Sequence, residues 1–238
     1  MSRLYSKNPL GFALMWIFIY VGGSSFTEKL SRTVGMEKCI TLPFYIVMSL
    51  WLLLWLHRGG LFKEYGLCAP RFRADKMLWY LPLLLLCSCN AWFGLRMNMS
   101  AAESCLYVLS MLLVGFLEEL IFRGFLFRAM CRDGVKSAII VSSITFGLGH
   151  IINLFNGSGM ALGANLLQVC YAIALGYLFV IIFYKAGSLI PCILTHSFVN
   201  ALSAFAVQPG TGGEIISAAL LCIISLSYGI YLNKKLQV

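Results

Sequence analysis

Charge is what this chain has least of. Only 11% of its 238 residues are Asp, Glu, Lys or Arg, against 60% hydrophobic, where a soluble domain carries about a quarter charged residues. That shortage excludes an ordinary water-soluble domain. There is no CxxC pair, and the nine cysteines are scattered mostly inside apolar runs. They read as small buried apolar residues, not as a disulfide framework. No repeat of about 20–50 residues and no low-complexity tract is present, so a solenoid or array is out. No H-E-x-x-H occurs to place two metal-binding histidines on one helix, and the chain has only three His residues in all.

What the chain has instead is long apolar runs. About 20 apolar residues span a bilayer as a helix, and eight runs approach that length: Leu10–Phe26, Cys39–His57, Leu78–Leu95, Ser104–Arg128, Ser137–Phe155, Ala161–Tyr184, Ser188–Val207 and Glu214–Asn233. The first reads as an anchor and not a signal peptide, because no A-x-A-like site follows it and seven further spans do. The expected fold is therefore all-α, a polytopic membrane bundle of about eight transmembrane helices. This implies an integral, multi-pass protein with membrane lipid as its constant partner.

The formal net charge of +9 does not indicate nucleic acid. A nucleic-acid binder gathers its basic residues on one face with groove-reading or aromatic elements. Here they sit at the ends of apolar runs, as the positive-inside rule produces. Setting aside Arg123, 13 of the other 17 Lys and Arg fall on the side of both termini and 4 on the opposite side. Both termini are thus expected in the cytoplasm. The longest polar interval, Arg58–Lys76, reads as a basic cytoplasmic loop with a short interfacial helix near Leu61–Leu67. It separates the first two spans from the remainder; residues 1–100 carry helices 1–3 with this loop, and residues 101–238 form the segment where the chemistry-bearing residues lie.

Those residues are the ones a membrane should not hold. An ionisable side chain at mid-span costs about 2.5–3.5 kcal/mol on insertion scales and marks function more often than not. Three spans carry them: Glu118, Glu119 and Arg123 in the fourth, His150 in the fifth, and His196 with Asn200 in the seventh. Glu119 and Arg123, four apart, share a helix face and can pair. Glu118 points about 100° away from Glu119 and is left for another neighbour. At about 1.5 Å per residue, Glu118 lies roughly 15 Å from Arg128, His150 roughly 20 Å from Ser137, and His196 and Asn200 roughly 12 and 18 Å from Ser188. All four share one slab, and four polar groups at one depth suggest one site. A polar network that only holds the bundle together is the plain alternative. Interhelical hydrogen bonds in membranes average about 0.6 kcal/mol, a small return for burying two His and two Glu. A proton or ion pathway would use the same residue types. Small residues such as Gly147, Gly149, Gly163 and Gly176 would let neighbouring backbones approach closely.

At these positions the chain resembles the CPBP family, the CAAX prenyl endopeptidase and bacteriocin-processing (Abi) membrane proteases. It carries Glu118-Glu119-x-x-x-Arg123, Phe146-x-x-x-His150 and His196-x-x-x-Asn200, in that order. The resemblance spans about Ala101–Val207 and implies hydrolysis of a peptide bond within the membrane. The substrate it implies is a membrane-associated or prenylated (CAAX-like) protein or peptide precursor. It assigns catalysis to Glu118, His150, His196 and Asn200, with Glu119, Arg123 and Phe146 in support. Glu118 would activate a water that His150 helps to hold, and His196 and Asn200 would donate to the developing oxyanion. No cofactor is favoured. The alternative is Zn²⁺ held by His150, His196 and Glu118. Non-enzymatic readings are a bacteriocin immunity protein that binds its target, or a transporter. The plasma membrane is the expected location if the source is bacterial.

Overall fold

The computed structural model of the protein describes residues 2–71 and 80–236. Nine helices occupy them: α1 (Ser2–Lys7), α2 (Pro9–Val34), α3 (Thr41–Gly59), α4 (Leu81–Cys87), α5 (Ala101–Met130), α6 (Val135–Leu154), α7 (Leu162–Ala186), α8 (Ile190–Phe205) and α9 (Thr211–Lys235). Among the described residues no strand forms, only an isolated antiparallel bridge between Leu95 and Ala206. The protein is a polytopic all-α bundle.

Local chemistry sets the helix ends. Asn8 caps α2, its side chain accepting from the Gly11 N–H at 2.8 Å, and Pro9 follows where its missing N–H costs nothing. Ser100 and Glu103 form a reciprocal capping box that starts α5. Gly187 ends α7 in the left-handed conformation, φ 66°.

Among the described residues six helices, α2, α3, α5, α6, α7 and α9, are long and apolar enough to cross a membrane, where about eight spans were expected over the whole chain. Two of the expected runs form shorter elements among the described residues. The run Ser188–Val207 forms α8, which is shorter than a span and ends in a 3₁₀ turn at Ser203–Phe205. The run Leu78–Leu95 begins outside the described residues. From Tyr80 on it holds only α4 and a 3₁₀ turn at Cys89–Ala91 before the backbone extends. The two short elements complete each other. The Arg96 N–H donates to Phe205 O (2.8 Å) and the Val207 N–H to Gly94 O (3.1 Å), and Asn98 Nδ2 donates to the carbonyls of Ala204 and Ala206. Asn90 Nδ2 reaches Val199 O at 2.7 Å. Carbonyls at a helix C-terminus lack intrahelical donors, and here side chains from the α4–α5 connection supply them.

Two smaller expectations also change. Leu61–Leu67 forms consecutive turns and no helix, and the end of the Arg58–Lys76 loop lies outside the described residues. All nine cysteines are free, but only Cys192 is buried, with six half-buried and Cys105 and Cys170 exposed on the bundle's outer surface.

One buried core runs from Phe12 to Leu236 and draws on helices from both sides of residue 100. Close helix contacts surround the polar residues. A Cβ on Gly115 would lie 2.3 Å from Ser197 Oγ and 2.6 Å from its backbone N, so α5 and α8 meet backbone to backbone. Gly147 brings α6 equally close to Ile173 of α7, and Gly176 faces Ser143 at 3.2 Å. Gly149 and Gly163 meet nothing within 4 Å.

Candidate active site

The centre of α5 is not a regular α-helix. Residues Glu119–Phe127 form a π-helical segment, and every one of them is buried. Such segments are rare and concentrate at functional sites. Glu118, the last residue of the preceding α-helical stretch, keeps a side chain 14% exposed, whereas those of Glu119 and Arg123 are fully buried.

The two glutamates flank one imidazole. His196 Nδ1 lies 2.8 Å from Glu119 Oε1, and its Nε2 lies 3.5 Å from Glu118 Oε2. Two carboxylates about 100° apart on one helix are well placed to address opposite nitrogens of a ring arriving from α8. Glu119 Oε1 also pairs with Arg123 Nη1 at 3.1 Å, the partner its spacing indicated. The Arg123 guanidinium stacks on the Phe146 ring, 4.0 Å from its centroid, with Phe179 on a second side at 5.7 Å. A desolvated cation gains most from such a ring face. Phe146 therefore joins the parts of the site: its ring also meets His150 (5.2 Å) and His196 (5.7 Å) edge-on.

His150 sits where α6 changes from α-helix to a 3₁₀ turn. Its Nδ1 lies 3.2 Å from Phe146 O. A carbonyl only accepts, so Nδ1 carries the hydrogen and Nε2 is left bare in the neutral ring. Its own carbonyl accepts from the buried Asn165 Nδ2 at 2.8 Å, which fixes the end of α6 against α7.

Glu118, His150, His196 and Asn200 all line a single cleft of about 710 Å³. Glu119 and Arg123 lie behind its wall. Sequence reasoning missed Tyr20 of α2, which is buried, also lines the cleft and donates its hydroxyl to Glu118 Oε1 at 2.7 Å. Tyr20 stacks on Tyr45 at 6.0 Å, which holds the phenol in place. A tyrosine in an apolar run carries no sequence signal for such a role. Phe179, behind His196 at 6.0 Å, was equally unmarked.

The donor set for Zn²⁺ fits poorly. Among the described residues no three His, Cys, Asp or Glu side chains gather as metal ligands. Glu118 accepts from Tyr20 at one oxygen and His196 Nδ1 is held by Glu119, which leaves Glu118 Oε2 and His196 Nε2 as the donor atoms of those two side chains.

Residues 100–202 match the family model of type II CAAX prenyl endopeptidases, Rce1-like. This is the family that the three motifs resemble, and at family level the match supports a CAAX-type intramembrane protease. The matched segment contains Glu118, Glu119, Arg123, Phe146, His150, His196 and Asn200, while Tyr20 and α4 lie outside it. No match was found among curated proteins or solved structures.

Proposed function

We propose that the protein is an intramembrane endopeptidase in which Glu118 activates a water for attack on a peptide bond of a membrane-associated protein or peptide. The observation that carries this reading is the state of the Glu118 carboxylate. It is half-sheltered, faces the cleft, and has one oxygen fixed by Tyr20. The other oxygen is turned toward His196 at 3.5 Å, leaving an edge at which a water can be held and deprotonated.

The neighbours have complementary tasks. The bare Nε2 of His150 accepts a hydrogen from that water and orients it. As Glu118 takes the proton, the water oxygen adds to the carbonyl carbon and negative charge develops on the carbonyl oxygen. Asn200 Nδ2–H donates to that charge. His196 donates from Nε2 only when its ring carries both protons, since Nδ1–H serves Glu119. Glu119 and Arg123 would then act as positioning residues, fixing the His196 ring without touching substrate. Each oxyanion donor is worth about 2.7–4 kcal/mol in such sites. Glu118 then passes its proton to the leaving amine, and the peptide bond breaks.

A peptide library presented to purified protein in detergent or bilayers tests the activity. Wild type should release defined fragments and Glu118→Ala should release none. A binding protein without catalysis, such as an immunity factor, would yield no fragments from either and would keep its function in Glu118→Ala.

A further inference from the structure

The contacts between loops sort them onto two faces of the bundle. On one face Tyr5 Oη donates to Glu64 (3.1 Å), the Arg128 side chain reaches the Glu64 carbonyl, Arg71 N–H donates to Ala186 O (2.9 Å) and Ser188 Oγ to Cys68 O (2.6 Å). On the other, Arg32 reaches Asn156 O (2.6 Å), the Glu37 N–H reaches Glu103 (3.5 Å), and Leu95 bridges Ala206. Among side chains that are described, the first face holds ten Lys and Arg against the two acids Glu64 and Asp133. The second holds Lys29, Arg32, Lys38 and Arg96 against four acids. Excess Lys and Arg in short loops marks the cytoplasmic side.

The cleft belongs to the second face. From Glu118 and the histidines it runs past Glu28, Arg32, Asn156, Ser158, Gln208 and Glu214. None of its lining comes from residues 60–71, 128–136 or 185–189. Toward the basic face the site is sealed by the wholly buried segment Glu119–Phe127. The mouth carries little net charge, because Arg32 and Lys38, both paired with Glu28, are met by Glu37 and Glu214 as well. The walls below it are largely apolar, with Val21, Phe93, Met111, Val114, Tyr171 and Leu175.

The geometry points to a substrate that enters from the extracytoplasmic face: an apolar polypeptide segment at the membrane border whose scissile bond lies outside the cytoplasm. This inference rests on the peptidase reading above. A leader or precursor peptide already moved across the membrane meets these conditions. A prenylated C-terminus anchored in the cytoplasmic leaflet would approach the sealed end.

The test is accessibility in intact cells to a membrane-impermeant maleimide, read against the unsubstituted protein as background for the native cysteines. Ser158→Cys and Gln208→Cys, both at the exposed mouth, should label in intact cells. Asp133→Cys on the basic face should label only after permeabilisation. The reverse pattern would overturn the inference. A C-terminal fluorescent-protein fusion, which leaves every native residue in place, gives a second reading: fluorescence is expected, and an active C-terminal alkaline phosphatase fusion would overturn it. Labelling does not depend on hydrolysis, so Glu118→Ala should label like wild type. Outward labelling with no cleavage by wild type would sink the peptidase reading while leaving the orientation standing.

Discussion

His196 lies between Glu118 and Glu119, with one carboxylate at each ring nitrogen, at 3.5 and 2.8 Å. Adjacent residues on one helix thus do different work on one imidazole. Glu119, fully buried and shared with Arg123, fixes the ring, while Glu118 stays open to the cleft. His196→Ala removes both a proposed oxyanion donor and the partner of Glu119. Its kcat should fall at least 10²–10³-fold, the cost of one such donor. Asn200→Ala removes the other proposed donor alone, and its kcat should fall by about the same factor with the folded yield unchanged. Peptide cleavage rates and size-exclusion profiles together check this pair.

Arg123 should behave as a structural residue. Removing one partner of a buried ion pair costs about 3–5 kcal/mol, because the other charge is left uncompensated. Arg123→Ala leaves the buried Glu119 with His196 Nδ1 but no cation beside it, and also vacates the face of Phe146. Its folded yield and Tm in detergent should drop sharply. Any loss of rate per folded molecule should be smaller than for Asn200→Ala.

Tyr20→Phe keeps the ring and its stacking on Tyr45 but removes the hydroxyl that holds Glu118. A hydrogen bond to a charged group contributes about 1.5–3 kcal/mol to stability, so Tm should fall modestly, and kcat should fall with it because Glu118 is no longer held. A rate equal to wild type would take Tyr20 out of the site.

Gly115→Ala probes the packing that holds α8 against α5. The new methyl would collide with Ser197 backbone and side chain at 2.3–2.8 Å, and overpacking of this kind costs about 1–3 kcal/mol. A lowered Tm is expected, and since Ser197 adjoins His196, a lowered kcat with it.

Much of this was legible in the sequence because the membrane makes polar residues conspicuous. Glu118, Glu119, Arg123, His150, His196 and Asn200 stand out against apolar runs, and helical spacing alone paired Glu119 with Arg123. What spacing on one helix cannot give is a contact between helices. The Glu119–His196 bond, the Tyr20–Glu118 bond and the Arg123–Phe146 stack all join separate helices. The π-helical segment at Glu119–Phe127 leaves no mark in composition, since its residues are those of any buried apolar helix. Counting spans by apolar length does not foresee that α4 and α8 are short helices among the described residues. There, backbone carbonyls are satisfied by Asn90, Asn98 and the Leu95–Ala206 bridge, so an apolar run need not remain helical throughout.

The metal alternative separates cleanly from the metal-free one. With Glu118 as base and no metal-ligand cluster among the described residues, strong chelators should leave the cleavage rate unchanged and stoichiometric zinc should be missing from active protein. Inhibition by chelator that Zn²⁺ alone reverses would instead favour His150, His196 and Glu118 as ligands.

The central claim is that the carboxylate of Glu118 takes the proton from the attacking water. Glu118→Gln keeps the size, the polarity and an acceptor for the Tyr20 hydroxyl, but it removes the base. The most direct test is the cleavage rate of purified, folded Glu118→Gln against wild type on the same peptide. A fall of about 10²–10⁴-fold is predicted; a rate equal to wild type would contradict the account.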